Sequence, residues 1–290
     1  MNKAKFKING KENYFDISGS PEFKYGEDVV LSNEDSDICF NQPWYKLGYQ
    51  STKFFDLVEF EDLKTGITNS IKKIIENKTG INTDGFKLEK YHNWIKSDKD
   101  HLKVVSKTRD LFPENFNFPI NKLIPKFSKA LNIELTDIEP NTKKQMHIIV
   151  RINRPKSSDY NPAHKDIYES YDGAEIGIGD HVDHYTDKLK FINLWIPIAG
   201  VTENSSLPVA PSSHLISENQ ILRTTEGSVI EGNKYRVRMV KKWGSHSSLI
   251  RPKVSYGEVL IFSSHLIHGL ATNEESGLTR VSLEFRLFKK

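Results

Sequence analysis

The chain has 290 residues, of which 37% are hydrophobic and 11% aromatic, a composition typical of a globular protein with a sizeable core. A single cysteine, Cys39, excludes an internal disulfide framework and any thiolate-rich zinc or iron–sulfur site, and it favours the reducing cytoplasm. The net charge of +3 comes from 41 basic and 38 acidic residues without a dense basic block, so no nucleic-acid partner is expected, whereas an anionic small-molecule substrate is compatible with it.

The N-terminal half is predicted to be a polar arm followed by helices. Its first residues, MNKAKFKINGKENYFD, lack the apolar core of a secretory signal, and no apolar run in the chain approaches the roughly 20 residues of a membrane span, so no membrane association is expected. Residues 1–50 are turn-rich, NQPWYKLGYQ is typical of an irregular arm, and KFFDLVEF predicts a short strand.

An amphipathic helix is predicted over EDLKTGITNSIKKIIENKTG. Its apolar residues keep helical spacing, and Gly80 is a plausible C-terminal stop; these apolar residues are Leu63, Ile67, Ile71, Ile74 and Ile75. Weaker helical patterns follow in KLEKYHNWIKSDKDHLKVVSKTRDLF and INKLIPKFSKALNI.

The C-terminal half changes character near Gln145. Short β-rich segments separated by Pro, Gly, Asn and Ser predict an all-β sandwich or barrel; they are QMHIIVRINRP, KFINLWIPIAG, SLPVAPSSH, KYRVRMVKK, GEVLIFSSHLIHG and RVSLEFRLF. Since no linker separates the halves, we expect one domain over 1–290, with helical support and arm in 1–140 and a double-sheet β core in 141–290. The oligomeric state cannot be read from the sequence.

Two His-x-Asp pairs are candidates for two of the ligands of a mononuclear iron(II) site. Residues two apart project to the same side of an extended chain, and the third ligand would be a distant histidine. One pair, in NPAHKDIYE, is His164 and Asp166; the other, in GDHVDHYTD, is His181 and Asp183. By itself either pair fits a polar surface loop equally well.

The order of motifs after Gln145 resembles the phytanoyl-CoA dioxygenase-like family of iron(II)/2-oxoglutarate oxygenases. A strand leads to His-x-Asp and then to a Trp-containing strand; ENSSLPVAPSSH follows, and a Gly257-Glu258 strand ends in a histidine with Asn273 and Arg280 beyond it. The chain departs from the family's glycines at Ser205 and Ser212, which affects the expected conformation of that loop and not the metal ligands.

The resemblance implies a double-stranded β-helix, a cupin-like jelly roll, with the N-terminal helices packed on it. It implies iron(II) held by His164, Asp166 and His268, with O2 and 2-oxoglutarate as cosubstrates. His164 is favoured over His181 because it follows a strand, an Arg-Pro and a short turn; His265, inside the strand-like run, is then expected to pack or hydrogen-bond beside the site.

Arg280 is the candidate partner of the distal carboxylate of 2-oxoglutarate, because a guanidinium matches a carboxylate with two parallel hydrogen bonds. Ser282 shares its strand face. The implied reaction is hydroxylation of a C–H bond with release of succinate and CO2, with desaturation and ring formation as open alternatives. Asp166 in the carboxylate position argues against halogenation.

Strand alternation adds weaker candidates. Asn193 and Trp195 share one face of their strand, and Arg151 lies on the polar face of the strand before His164, so Asn193 and Arg151 are candidates for binding the cosubstrate. Arg238 is a candidate substrate contact or a charged residue on an edge strand.

Further candidates for the substrate are Trp195, His181 and Asp183, the last two on a lid if they are not the metal ligands. Two other classes remain open: a jelly-roll metal protein that is an isomerase or sensor, and a metal-free sugar-binding or ligand-binding β sandwich. Neither requires an Arg-x-Ser pattern after the last histidine.

Overall fold

A computed structural model describes residues 2–116, 118–168, 190–245 and 247–290. Its helices are α1 (Leu57–Thr79), α2 (Tyr91–Trp94), α3 (Asp98–Thr108) and α4 (Leu123–Leu131). Its strands are β1 (Asn2–Ile8), β2 (Lys11–Ile17), β3 (Phe23–Tyr25), β4 (Tyr49–Lys53), β5 (Leu135–Thr136), β6 (Ile149–Asn153), β7 (Phe191–Ala199), β8 (Ile221–Thr224), β9 (Ser228–Ile230), β10 (Asn233–Tyr235), β11 (Val240–Trp243), β12 (Ser248–Leu249), β13 (Glu258–Ser263) and β14 (Arg280–Lys289).

The predicted main helix exists, but it begins earlier than the sequence indicated. The Asp56 carboxylate accepts from Glu59 N at 2.8 Å, and the Glu59 carboxylate accepts from Asp56 N at 3.1 Å, which is a capping box. The expected strand over KFFDLVEF is therefore wrong: β4 ends at Lys53, and the apolar Leu57 opens the helix instead. The predicted stop is confirmed, since Gly80 is left-handed at φ 72°.

The main sheet contains the strands that carry the site. Its order is β4-β13-β7-β14, and β14 pairs on its far edge with both β6 and β5. All these pairings are antiparallel. The long predicted strands KFINLWIPIAG and RVSLEFRLF lie side by side at the centre, as β7 and β14.

A second layer faces this sheet, and its central segments are joined by single bridges. His164 pairs with His268, His268 with Val209, and Val209 with Ile250. The segment that follows β6 thus lies beside the one that follows β13, while β6 itself lies next to β14 in the main sheet. Successive segments alternate between the two layers, and this connectivity makes the β core the expected jelly roll.

The N-terminal residues extend the second layer, which the sequence did not predict. β1 and β2 form a hairpin in full register, and β1 pairs in parallel with β12. At the opposite edge of this layer, Val240 N donates to Ala163 O at 2.7 Å, so β11 borders the segment that contains His164. The predicted strand KYRVRMVKK is divided into β10 and β11, and SLPVAPSSH pairs only through Val209.

The two faces of the main sheet have different neighbours. Its outer face packs against the helices: the Phe127 ring of α4 lies 6.2 Å from that of Phe285 on β14. The apolar residues of β7 that alternate with Asn193 and Trp195, which include Ile192 and Leu194, belong to this apolar core. Asn193 and Trp195, which lie on the other face of β7, therefore point inward, between the two layers. Within the described part of the chain, no helix is long and apolar enough to span a membrane.

Replacing a buried residue of α1 tests the supporting role of this helix. Leu63 is fully buried, so Leu63→Ala should lower the free energy of unfolding by about 2–5 kcal/mol through lost burial and the cavity left behind. Glu61, an exposed position two residues earlier, is the control, and Glu61→Ala should change stability by less than about 0.5 kcal/mol. Urea denaturation measures both; equal effects would contradict the packing described.

Candidate metal centre

The structure brings His164, Asp166 and His268 together. One ligand atom from each lies within 4.8 Å of the others, and all three residues are buried. The Asp166 carboxylate is 3.4 Å from His164 Nε2 and 3.5 Å from His268 Nε2. Two imidazoles and a carboxylate are a donor set that suits iron(II).

Backbone pairing sets this geometry. His164 N donates to His268 O at 2.9 Å, and His268 N donates to His164 O at 3.0 Å. The ring centroids of the two histidines are consequently 4.3 Å apart. Asp166 lies in the turn that follows His164, and this turn brings its carboxylate to both imidazoles.

Each histidine has its second nitrogen engaged by a carbonyl. His164 Nδ1 lies 2.7 Å from Pro162 O, and His268 Nδ1 lies 3.0 Å from Leu266 O. A carbonyl only accepts, so each Nδ1 carries the proton and each Nε2 presents its lone pair. Burial lowers the pKa of His268 to about 4, which keeps this ring neutral at pH 7.

Asp166 is held as an anion by cationic and amide donors. Asn193 Nδ2 donates to its Oδ2 at 2.8 Å, and Arg286 donates to its Oδ1 at 2.5 Å. Burial alone would raise the pKa of this carboxyl, but the charge of the Arg286 guanidinium holds it far below its ordinary value. The carboxylate is thus charged and oriented before any metal binds.

Arg280 and Ser282 lie on the same face of β14 as two residues of the site, Glu284 and Arg286. Arg280 is fully buried and donates to Ser205 O at 3.1 Å and to the side-chain oxygen of Asn153. Among the described residues no carboxylate pairs with it, and its Nε has no partner. Burial lowers the pKa of Arg280 to about 9, so it stays a cation at pH 7.

Two other buried polar atoms on the inner face of the main sheet have no partner in the described structure. They are Ser282 Oγ and Trp195 Nε1. Buried donors normally have acceptors, so both atoms are available to a polar ligand. Trp195 lines the cavity that contains the three candidate ligands, whereas Arg280 and Ser282 are not among its lining residues. Trp195 is paired directly with Glu284 across β7 and β14, which fixes its place on this face.

The candidates Asn193 and Arg151 have protein partners. Asn193 binds Asp166, and the Arg151 guanidinium forms two 2.8 Å hydrogen bonds to the Glu284 carboxylate. Glu284 and Arg286 are not among the site residues predicted from the sequence. The signal for both was present, because Arg280, Ser282, Glu284 and Arg286 alternate in RVSLEFRLF and therefore share one face.

A cavity opens onto the three candidate ligands. Its empty volume, including the part open to solvent, is about 690 Å³, within the range of small-molecule sites. Its wall is mainly apolar, with Leu207, Phe262 and Trp195 among the lining residues, and Arg151 and Glu284 also line it.

The remaining candidates lie elsewhere. His181 and Asp183 fall outside the described residues, and Arg238, between β10 and β11, does not line the cavity. His265 is buried beside the centre, with its Nδ1 3.4 Å from the Asp37 carboxylate. The sequence analysis expected His265 to have such a hydrogen-bonding role rather than to be a ligand.

Ser212 stands where the family that the sequence resembles has a glycine, and it adopts the conformation of a glycine. Ser212 is left-handed at φ 61°. Its Oγ donates to Lys46 O at 2.8 Å and its N donates to Leu47 O at 2.9 Å. These bonds offset the cost of a side chain in this region, about 1–2 kcal/mol, so the loop keeps its turn.

Comparisons with known proteins give no family. No family model and no curated protein sequence match the chain. Among solved structures, EctD from S. alaskensis with 2-oxoglutarate and 5-hydroxyectoine aligns at 13% identity and a TM-score of 0.48, over 95% of this chain and 86% of that one. AviO1 from Streptomyces viridochromogenes Tue57 aligns at 13% identity and 0.43, over 84% and 90%. EctD from S. alaskensis with bound Fe aligns at 14% and 0.47, over 93% and 84%. These similarities are too low to assign a family or an activity.

The close approach of Gly269 to the ligand segment can be tested. A Cβ at Gly269 would lie 2.2 Å from Pro162 O, the acceptor that orients His164. Gly269→Ala should therefore lower Mn(II) affinity by roughly 10-fold or more. Gly232→Ala is matched, since Gly232 also has a positive φ but no atom within 4 Å of its Cβ, and it should leave affinity unchanged. Titration by electron paramagnetic resonance measures both; equal affinities would contradict the orienting role of Pro162.

The Asp37–His265 pair predicts a pH dependence of stability. Burial would raise the pKa of Asp37, but hydrogen bonds and charge from His265, with Ser263 and Cys39 N, hold it well below its ordinary value. The stabilisation is therefore complete above about pH 4 and is lost as pH falls further. Asp37→Asn should lower the free energy of unfolding by about 1–3 kcal/mol at pH 7. The difference between the variant and wild type should shrink below pH 4.

Urea denaturation at pH 7 and pH 3 measures this difference. Asp35→Asn, an exposed change two residues away, serves as the control and should leave stability unchanged at both values. A difference between wild type and Asp37→Asn that stays constant with pH would contradict the assigned charge pair.

Proposed function

We propose that the protein is an iron(II)/2-oxoglutarate-dependent dioxygenase that hydroxylates a C–H bond of a small molecule. The observation that carries the proposal is the buried His164, Asp166 and His268 group, together with Arg280, a buried guanidinium on the inner face of β14 without a carboxylate partner among the described residues. A metal site alone would fit an isomerase or sensor, but a buried cation without an anion matches a dicarboxylate cosubstrate.

The residues present fit iron(II). Both Nε2 atoms offer lone pairs and Asp166 is ionised, so His164, Asp166 and His268 would hold the metal and leave it open to cosubstrate and O2. Asn193 and Arg286 orient the carboxylate, as partners of ligating groups usually do. Since Asp166 occupies the carboxylate position, we favour hydroxylation over halogenation.

The residues also fit 2-oxoglutarate. Arg280 would bind the distal carboxylate, with Ser282 Oγ and Trp195 Nε1 as further donors on the same inner face. Arg151 and Asn193, which have protein partners, would act by holding Glu284 and Asp166 in place rather than by binding the cosubstrate. Bound iron supplies the oxidising chemistry: 2-oxoglutarate, O2 and R–H give succinate, CO2 and R–OH.

The apolar wall of the cavity would exclude water around the reacting C–H bond, with Phe262 and Leu207 as its contributors near the metal. We propose a small metabolite or natural-product intermediate as the substrate, and the mild positive charge is compatible with an anionic one. The buried free thiol of Cys39 is consistent with the reducing cytoplasm.

Anaerobic binding of iron(II) and 2-oxoglutarate tests the proposal. A 2-oxo acid chelated to iron(II) gives a weak charge-transfer band in the visible, which should appear in wild type and vanish in His164→Ala. Two controls should retain it: His214→Ala, which removes a buried histidine outside the ligand group, and His181→Ala. A band lost in His181→Ala and kept in His164→Ala would move the metal site; no band in folded wild type would reject the function.

Exchanging the guanidinium tests the cosubstrate site. Arg280→Lys keeps the charge and loses the paired N–H donors of the guanidinium. The concentration of 2-oxoglutarate that gives half of the maximal band intensity should therefore rise by about 10-fold or more. Arg251→Lys is the matched control: this guanidinium also bonds backbone carbonyls, Ser206 O and Thr272 O, but Arg251 follows Ile250 of the second layer and does not lie on β14. Equal shifts in the two variants would contradict the assigned role of Arg280.

A further inference from the structure

Between the two ligands of the His-x-Asp pair lies a fully buried lysine. Lys165 is 2% exposed, and its ammonium pairs with Glu218, which does not line the cavity that His164 and Asp166 face. It therefore points away from the candidate metal and into the second layer. Lysine is almost never buried in this way unless it is paired.

The partner of Lys165 is a carboxylate shared with an arginine. Lys165 Nζ lies 2.8 Å from Glu218 Oε1, and both side chains are fully buried. Arg223, on β8, lies 3.4 Å from Glu218 Oε2 and is 2% exposed. The Arg223 guanidinium also lies 4.3 Å from the ring centroid of Tyr168, three residues beyond Lys165.

Glu218 is itself fixed by the backbone of the N-terminal arm. Its N donates to Val29 O at 2.9 Å, and its O accepts from Gly26 N at 2.9 Å. The chain packs so closely here that a Cβ on Gly26 would lie 2.6 Å from Glu218 Cβ. The carboxylate is thus a rigid anchor point behind the ligand segment.

Packing alone does not account for a lysine here. An aliphatic side chain would fill the same space, and replacing a buried ion pair by apolar residues is often neutral or stabilising. The pair does fix which face of the segment points inward. If the segment turned over, Lys165 would face the cavity and both ligands would face away from it. The buried charges of Lys165 and Glu218 would then be separated, which is costly.

We propose that Lys165 is a positioning residue, which through Glu218 holds His164 and Asp166 in the orientation that binds the metal. This inference rests on the metal centre of the proposed function. The ligand segment is then held on three sides: by His268 at one edge, by Val240 at the other, and by Glu218 from behind.

Two variants that each remove one cation from the same carboxylate make a matched test. Lys165→Met leaves Glu218 paired with Arg223, and Arg223→Met leaves it paired with Lys165, so neither leaves the carboxylate alone. Mn(II) affinity is measured by electron paramagnetic resonance, at a temperature where circular dichroism shows both variants folded. Lys165→Met should weaken Mn(II) binding by roughly 10–100-fold, the usual effect of removing an orienting partner, while Arg223→Met leaves it unchanged.

The outcomes separate this inference from the proposed function. If wild type binds Mn(II) and Lys165→Met binds it equally well, or if Arg223→Met weakens binding as much, the positioning role is overturned and the metal centre stands. If wild type binds no Mn(II), the metal centre is overturned and the inference with it.

A third variant covers failure of Lys165→Met to fold. Glu218→Asp keeps the charge and withdraws the carboxylate from Lys165 by one methylene. It should weaken Mn(II) binding in the same direction, and unchanged affinity in folded Glu218→Asp overturns the proposal. Hydrogen exchange of the amides of residues 163–167, faster in the affected variant and unchanged in Arg223→Met, distinguishes a displaced segment from global destabilisation.

Discussion

The candidate site depends on one short backbone pairing. Two hydrogen bonds join His164 and His268, residues from opposite halves of the β core, and they bring two imidazoles to within 4.3 Å of each other. Narrow antiparallel pairing leaves little freedom in how the side chains meet, so the ligand geometry follows from the second layer of the jelly roll. The close fit of Gly269 against Pro162 belongs to the same constraint, because a larger residue would separate the two segments.

The inner face of the main sheet is organised by charge. Two of its arginines have carboxylates, Arg151 with Glu284 and Arg286 with Asp166, whereas Arg280 bonds only neutral oxygens among the described residues. Burying a guanidinium is costly unless a counter-charge is present, and a bound anionic ligand would supply that charge. This imbalance favours the proposed dicarboxylate-dependent oxygenase over a jelly roll that binds a metal alone. In the opposite layer, Lys165 pairs with the carboxylate of Glu218, which lies behind the ligand segment.

Competition between local signals explains where the sequence analysis erred. KFFDLVEF has the residues of a strand, yet the capping box of Asp56 and Glu59 starts α1 at Leu57. KYRVRMVKK alternates like one strand, but its first part lies in β10 and its last part in β11, which belong to different sheets. The N-terminal hairpin was missed because its lysines and glutamates look like a solvated arm, although Ala4, Phe6 and Ile8 alternate with them and are buried.

The sequence by itself determined the main helix and the central strands, because hydrophobic period is a local property. The order of motifs named His164, Asp166 and His268, which the structure brings together. The sequence also placed Arg280 and Ser282 on one strand face. The tertiary structure alone decided which partners these groups meet: that Arg151 is bound by Glu284, that Arg286 reaches Asp166, and that Glu218 lies behind Lys165. These contacts join residues between 53 and 133 positions apart, and no local pattern encodes such a pairing. Only the crossing of segments between the two layers brings them within hydrogen-bond distance.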